Sequence, residues 1–204
     1  MISIIIPTFN EEKALPATLR RVRETEGNYE IIVVDGGSQD QTQALVRANA
    51  HLRLLTARKG RASQMNAGAA AARGEWLLFL HADTLLPEGV LKQLHEFEGD
   101  PSIQAGGFLH QFSGHDWRLR LISWLDNVRC RRTRIMYGDQ AMFVRRGLFQ
   151  QLGGFPDQPI LEDVAFGERL VRIARPVLLS PPVMTDPRKF VSMGVWRSLA
   201  RVIL

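Results

Sequence analysis

The sequence predicts an α/β fold in which a mostly parallel central sheet is flanked by helices. Two observations lead to this prediction. Short apolar runs rich in β-branched residues alternate with helix-like runs through the first half of the chain, and these runs are too uniformly apolar for strands with one face in water. The length of 204 residues suits one domain with a full hydrophobic core, so we expect residues 1–204 to form a single domain.

The first half of the chain supplies strands and helices in alternation. The expected strands are residues 2–6, 30–35, 52–57 and 76–80. The expected helices are residues 15–22, 44–48, 62–73 and 87–97. Thr8 with Glu11, and Ser38 with Gln41, have the spacing of capping boxes, so they predict the starts of the first two helices.

The second half is less regular. The expected strands are residues 104–112, 136–145 and 176–179, and the expected helices are residues 148–152 and 162–172. Residues 195–204 end in a helical pattern with no cap, as expected of a natural chain that continues beyond Leu204.

Composition narrows the class of protein. Cys130 is the only cysteine, which excludes an internal disulfide and a cysteine-based zinc site and predicts a reducing, cytoplasmic location. The apolar start is too short for a signal peptide, and no segment reaches the roughly 18 consecutive apolar residues of a membrane span. The formal net charge of +5 suits phosphate-bearing partners and does not by itself indicate nucleic acid.

Polar residues follow three of the predicted strands. These segments are residues 7–12, 35–40 and 81–84. Ligands of doubly wound sheets bind beyond the carboxyl ends of the strands, so we expect a site there. Each segment also has a simpler explanation: Glu11 can complete a capping box, Asp35 can cap a glycine turn, Asp83 can cap a short turn, and His81 can be a structural residue. Three such caps at three strand ends are less expected than one shared site.

A nucleotide-linked ligand would use these side chains in distinct ways. The carboxylate of Asp35 can accept hydrogen bonds from a base or a ribose, and Phe9 can offer an aromatic face beside the base. Gly60 and Arg61 begin the Ala-rich helix, where backbone N–H groups and a cation can meet a diphosphate. Asp83 can bind a hard divalent cation that bridges the phosphates.

The chain resembles family 2 glycosyltransferases, which have the Rossmann-like GT-A fold. The resemblance covers about residues 1–190 and rests on five short segments: Pro7 to Glu11, Val33 to Ser38, Ala82-Asp83, Gly153-Gly154-Phe155 and Glu162-Asp163. It implies an inverting transferase that moves a sugar from a nucleoside-diphosphate sugar to an acceptor hydroxyl with the help of Mg²⁺ or Mn²⁺. It also implies a nucleotide-binding half in residues 1–100 and an acceptor-side half in residues 101–204.

The resemblance assigns a role to each matching residue. The nucleoside would be held by Pro7, Phe9, Glu11 and Asp35, with Arg61 near the phosphates and Asp83 as the metal ligand. Asp163 would be the catalytic base, supported by Glu162. The same pair also fits the start of a helix, where the macrodipole favours carboxylates.

The chain departs from the family pattern at His81, where the metal motif usually has its first aspartate. His81 would be a second ligand, a donor to the nucleotide, or structural, and the last two are favoured because Mg²⁺ and Mn²⁺ prefer oxygen. The Gln-x-x-Arg-Trp motif of processive synthases is absent, and Arg188-Lys189-Phe190 is a candidate replacement as a basic clamp.

Two other functions are alternatives to a glycosyltransferase. A sugar-phosphate nucleotidyltransferase usually has a glycine-rich phosphate loop after the first strand, and residues 7–12 contain no glycine. A catalytically silent protein that binds a sugar nucleotide is favoured only by His81. The arginine-rich stretch from Trp117 to Arg134 has two interpretations: a surface helix on anionic lipid headgroups near a lipid-linked acceptor, or a core helix with solvated arginines. No nucleic-acid-binding motif accompanies its charge.

Overall fold

The computed structural model describes residues 1–192, which contain one eight-stranded sheet with helices on both faces. The strands are β1 (Ile2–Thr8), β2 (Tyr29–Asp35), β3 (Leu52–Thr56), β4 (Trp76–Phe79), β5 (Thr84–Leu85), β6 (Ala105–Phe112), β7 (Phe143–Arg145) and β8 (Val177–Thr185). The helices are α1 (Leu15–Arg23), α2 (Thr42–Arg47), α3 (Arg61–Ala71), α4 (Val90–Glu96), α5 (Trp117–Thr133), α6 (Arg146–Gln151), α7 (Glu162–Leu170) and α8 (Arg188–Ser192).

The strands lie in the order β3-β2-β1-β4-β7-β6-β8-β5. The first four are mutually parallel, β7 is antiparallel to both of its neighbours, and β6 is parallel to β8. The predicted α/β class with a mostly parallel sheet and flanking helices is therefore confirmed. A single sheet contains strands from residues 1–100 and from the rest of the described chain.

Strand β1 is buried along its whole length, and all of its residues except Ser3 and Thr8 are apolar, because both faces of the sheet are covered. Ile4 and Ile6 belong to a core on one face, and Ile5 belongs to a second core on the other face. All three side chains are fully buried. Burial of one such side chain stabilises a fold by about 1.5–3 kcal/mol, so the isoleucines of β1 contribute to stability on both faces of the sheet.

Helix α3 packs closely on β1 and β2, and this contact brings its first turn to the carboxyl ends of the strands. Gly68 lies against Ile5 so tightly that a Cβ atom would overlap that side chain. One turn earlier, the buried Gln64 donates from Nε2 to the carbonyl oxygens of Thr8 (2.7 Å) and Val34 (2.8 Å). Arg61, the first residue of α3, is therefore held at the edge where β1 and β2 end.

Both predicted capping boxes are wrong. Thr8 remains in β1, where it pairs with Asp35 of β2, and α1 begins only at Leu15. Ser38 bonds to the carboxylate of Asp35 instead of capping α2, which begins at Thr42 without a side-chain cap. Thr8 is therefore used by the sheet, and Ser38 is used by the turn that follows β2.

The strand expected at residues 136–145 is only partly correct. Gly138–Gln140 forms a 3₁₀ turn, and β7 starts at Phe143. The turn is favoured because the Gln140 side chain accepts from the Tyr137 N–H and because Ala141 adopts a left-handed conformation. The helical pattern expected at residues 195–204 lies outside the described residues.

The arginine-rich stretch is a helix, α5, of 17 residues. One side packs against β6, and the other carries exposed tryptophans. Within residues 1–192, no helix combines the length and apolar character needed to cross a bilayer.

Candidate functional site

The loops that follow β1 and β2 are joined by hydrogen bonds and form one surface. Asn10, which has a left-handed backbone (φ 55°), accepts from the Gln39 N–H at 2.8 Å and donates its own N–H to Ser38 Oγ at 2.9 Å. The Glu11 N–H donates to Thr42 Oγ1 at 2.9 Å, and the Glu11 side chain is buried. The loops therefore present their polar groups from a fixed framework.

Asp35 ends β2 and is fully buried. Its carboxylate accepts from the N–H groups of Gly37 and Ser38 (both 2.9 Å), from Ser38 Oγ (2.5 Å) and from Gln43 Nε2 (2.8 Å). Burial alone would raise the pKa of Asp35, but these hydrogen bonds, led by Ser38, lower the pKa below its ordinary value. The turn-capping explanation of Asp35 is thus realised, and a ligand would have to replace one of these donors.

Phe9 lies at the rim of the loop surface, and its ring is covered by a cation. The Nζ atom of Lys59 is 3.7 Å from the ring centroid. Pro7 precedes it as a buried residue of β1. Lys59 was not among the residues singled out from the sequence, although it directly precedes Gly60 and Arg61. An ammonium group over the aromatic face adds a positive charge where a base and a phosphate would meet.

Arg61 and Glu162 form an ion pair that joins the two halves of the chain. The Nε atom of Arg61 is 2.8 Å from Oε1 of Glu162. The Arg61 side chain is half-exposed, whereas the Glu162 side chain is buried. Burial raises the pKa of Glu162, and the nearby Asp163 adds to this, while Arg61 opposes it. The guanidinium thus keeps N–H groups available toward solvent while one edge is fixed.

Asp163 lies in the first turn of α7, which begins after Leu161 in a left-handed conformation. Its Oδ2 accepts from the Gly138 N–H at 2.5 Å, and its Oδ1 accepts from the Val164 N–H at 2.8 Å. The carboxylate is therefore held by two backbone donors from different segments. The explanation as a helix-start residue accounts for the second bond and not for the first.

His81, Gly138 and Asp163 converge on one point. A Cβ atom built on Gly138 would lie 2.7 Å from His81 Nε2 and 3.1 Å from Asp163 Oδ2. The histidine that replaces the usual aspartate of the metal motif is thus directed toward the candidate base. Glycine at 138 is required sterically, because any side chain would occupy the space that the imidazole and the carboxylate share.

Asp83 follows His81 by two residues in the same short loop. It lines a cavity of about 160 Å³ together with Lys13, Thr18 and Asp186. Its carbonyl oxygen accepts from the Asp186 N–H at 3.0 Å. The carboxylate of Asp186 itself binds Arg188, so Arg188 is engaged locally.

The number of ligands that the protein offers determines how a metal ion could bind here. In the described part of the chain, no cluster of three or more His, Cys, Asp or Glu side chains is arranged to hold a metal. Mg²⁺ is usually bound through one or two carboxylates together with substrate phosphates. Asp83 can supply one carboxylate, so the site fits an ion that arrives with a diphosphate and does not fit a resident ion.

A polar cluster includes both chain neighbours of Gly138 and was not predicted from the sequence. Its residues are half-buried, except for His110, which is buried. Asp126 is bonded to Arg129 at 2.7 Å, and the Arg129 guanidinium stacks 3.6 Å from the Tyr137 ring centroid. Buried His110 lies with Nε2 3.5 Å from Oδ2 of Asp139. Burial raises the pKa of Asp126, and Asp139 raises it further against the effect of Arg129. The only sequence signal was the glycine at 138, inside a run that otherwise reads as a strand.

The chain is similar to known glycosyltransferases. Residues 3–153 match the family described as Glycosyl transferase family 2. A PGL/p-HBAD biosynthesis glycosyltransferase of Mycobacterium bovis (strain BCG / Pasteur 1173P2) is 37% identical over 166 residues, which cover 76% of this chain and 63% of the relative. An undecaprenyl-phosphate 4-deoxy-4-formamido-L-arabinose transferase of Aeromonas hydrophila is 34% identical over 107 residues, covering 47% of this chain and 33% of that protein.

Solved structures share the fold. The mannosyltransferase PcManGT of Pyrobaculum calidifontis, solved in complex with GDP-Man and Mn²⁺, superposes with a TM-score of 0.77 at 23% identity and covers 99% of this chain and 64% of that chain. TarS 1–349 of S. aureus in complex with UDP-GlcNAc gives a TM-score of 0.71 at 20% identity, covering 91% and 58%. The fold is therefore that of GT-A glycosyltransferases. The chain spans about 63% of the length of the first curated relative.

Proposed function

Because this chain belongs to glycosyltransferase family 2, we propose that it transfers a sugar from a nucleoside-diphosphate sugar to an acceptor hydroxyl with inversion at the anomeric carbon. One observation carries this proposal beyond family membership. Asp163 is fixed by the Gly138 N–H beside His81, while its neighbour Glu162 holds Arg61. The buried carboxylate of Asp163 could take the proton of the acceptor, and the half-exposed guanidinium of Arg61 could bind the leaving diphosphate.

The donor would be held by the two joined loops and the start of α3. Phe9 and Lys59 would flank the base, Asp35 would accept from the base or ribose in place of the Ser38 hydroxyl, and Arg61 would bind the diphosphate. Pro7 and Glu11 would shape the floor of this pocket.

Asp83 would be the protein ligand of Mg²⁺ or Mn²⁺, with the diphosphate supplying other oxygens. When bound, such an ion supplies charge neutralisation of the departing nucleoside diphosphate. His81 would act as a donor toward the substrate beside Asp163, since oxygen donors suit these ions better than imidazole does.

The residues of this chain would divide the transfer between them. Asp163 would accept the proton of the acceptor hydroxyl as its oxygen attacks the anomeric carbon, because two backbone N–H groups keep the carboxylate oriented. Glu162 would fix Arg61 through their ion pair, so that the guanidinium is preorganised for the phosphates and does not have to be ordered on binding.

The acceptor side would face a lipid-linked substrate in the cytoplasm, at the inner membrane face. The names of two relatives support this part of the proposal: a PGL/p-HBAD biosynthesis glycosyltransferase and an undecaprenyl-phosphate 4-deoxy-4-formamido-L-arabinose transferase. Family membership favours a sugar transferase over a sugar-phosphate nucleotidyltransferase. A silent binding protein would need no oriented base, which makes the Gly138–Asp163 bond an argument for catalysis.

A thermal-shift panel of sugar nucleotides, with and without Mn²⁺, tests the proposal. A ligand at one hundred times its Kd stabilises the folded state by about 2.7 kcal/mol, or roughly 5–10 °C in Tm for a chain of this size. We expect one nucleoside-diphosphate sugar to reach this shift, and to do so only with the metal. If no sugar nucleotide shifts Tm under either condition, the donor site is placed wrongly. A hit that never releases nucleoside diphosphate would favour the silent binding protein.

A further inference from the structure

Helix α5 is apolar on two opposite sides. Its inner side packs on β6 and the residues around it, with Leu119, Ile122 and Cys130 buried. Its outer side carries large apolar residues in solvent. These are Trp117 (66% exposed), Leu121 (40%), Trp124 (60%) and Leu125 (43%). A surface helix of a globular protein normally has one apolar face, so the second one requires an explanation.

The exposed apolar residues form one stripe. At 100° per residue, positions 117, 121, 124 and 125 lie within about 100° of the helix circumference, directly opposite the buried positions. The helix is about 26 Å long at 1.5 Å per residue. We call this outer side of α5 the tryptophan face.

Exposed arginines accompany the tryptophan face. Arg120 and Arg131 flank one edge, and Arg132 lies in line with the stripe near the C-terminal end of the helix. Among residues 1–192, none of these three forms an ion pair with a carboxylate, whereas Arg118 is paired with Asp116. An apolar stripe with a cationic border is complementary to a surface that is apolar beneath and negatively charged above.

We propose that the tryptophan face docks on the surface of an anionic lipid bilayer, with the tryptophans at headgroup depth and the arginines on lipid phosphates. The charges decide between this occupant and a second copy of the chain. A symmetric dimer through this face would bring the same patch against itself and place arginines near arginines, while Asp116 and Asp126 of this helix region are already paired with Arg118 and Arg129. Anionic headgroups neutralise them directly.

The same helix is connected to the candidate base, Asp163, through Tyr137 and Gly138. Arg129 of α5 stacks on Tyr137, and the next residue, Gly138, donates to Asp163. Docking through α5 therefore places the acceptor side of the protein toward the bilayer. This orientation is the part that rests on the proposed function, while the docking itself does not depend on the transfer reaction.

Vesicle binding of the full chain tests the inference without any donor. We expect the protein to bind vesicles that contain 30 mol% phosphatidylglycerol in phosphatidylcholine, and to bind pure phosphatidylcholine far more weakly. The double variant Trp117→Ser/Trp124→Ser should lower the partition coefficient by about ten-fold or more, because both indoles lose their burial. Ile173→Ser is the matched control, since Ile173 is an equally exposed apolar residue (57%) outside α5.

A second pair of variants isolates the charge. Arg131→Gln/Arg132→Gln should weaken binding about 25-fold, from roughly five-fold per arginine at an anionic surface. The control Arg20→Gln/Arg23→Gln removes two exposed arginines from α1 and should change binding less than two-fold. Far-ultraviolet circular dichroism and Tm establish that each variant is folded.

Three results would overturn the inference. The first is a full chain that ignores anionic vesicles, and the second is a tryptophan variant that binds them as well as the control does. The third is a concentration-dependent dimer that the tryptophan variant dissociates without any vesicle binding, which would assign the face to a second copy. Sugar-nucleotide binding is measured separately, so failure here leaves the proposed transfer standing.

Discussion

Replacement of Asp163 by asparagine tests the assignment of the base most directly. Its carboxylate accepts one N–H from Gly138 and one from Val164. An amide has only one acceptor oxygen, so the variant keeps one of these bonds and loses the other. A hydrogen bond to a charged group is worth about 1.5–3 kcal/mol, so we expect a loss near 2 kcal/mol, or about 4–8 °C in Tm for a chain of this size.

The effect on catalysis should be much larger than the effect on stability. A positioned base contributes roughly 10²–10⁴-fold, so kcat of Asp163→Asn should fall by that factor at a temperature where the variant is folded. Donor affinity should stay within about two-fold, because the donor is assigned to the loops after β1 and β2 and to Arg61. The assay is release of nucleoside diphosphate from the sugar nucleotide found by thermal shift, with calorimetry for donor affinity.

The neighbouring residue supplies the matched control. Glu162→Gln removes a buried carboxylate of the same helix turn but keeps a group that can accept from Arg61. It should raise KM or the donor Kd more than it lowers kcat. Equal and mild effects of both substitutions would show that Glu162 and Asp163 only stabilise the start of α7. A variant of Asp163 that loses donor affinity and keeps its rate would move that residue into the nucleotide pocket.

Three further substitutions test separate parts of the site. Gly138→Ala should lower kcat about 10²-fold with donor affinity unchanged, since the new methyl group displaces His81 or Asp163 and small misplacements of a reacting group cost that much; an unaffected kcat would show that the contact is not needed. Asp83→Asn should abolish the dependence on Mn²⁺ together with turnover, and normal turnover in excess chelator would refute the metal ligand. Asp35→Asn should destabilise the fold by about 2 kcal/mol at neutral pH, through loss of charge-assisted bonds. Because the folded pKa of Asp35 is lowered, this contribution is complete above the unfolded pKa and is lost as the pH falls through the folded pKa, so urea titrations of the two proteins should converge in acid.

Much of the fold followed from local pattern. β1, β2, β3 and β4 lie within two residues of the predicted strands, because each is a short run of mostly apolar residues that ends at a polar segment. The start of α7 at Glu162 was also predicted. The capping boxes failed because Ser38 binds the carboxylate of Asp35 and Thr8 pairs with β2.

The sequence by itself determined which residues end the strands, and therefore where polar groups had to gather, since the carboxyl ends of parallel strands share one edge of the sheet. Only the tertiary structure decided which of those groups meet. The pairing of Arg61 with Glu162 and the bond from Gly138 to Asp163 join residues far apart in the chain. Such contacts depend on how α3, α7 and the 3₁₀ turn pack around the sheet. Packing likewise decided the hydrogen bonds that protein groups donate to Asp35 and the exposure of Trp117 and Trp124. The type of a residue does not determine which groups folding brings into contact with it or whether it stays in water.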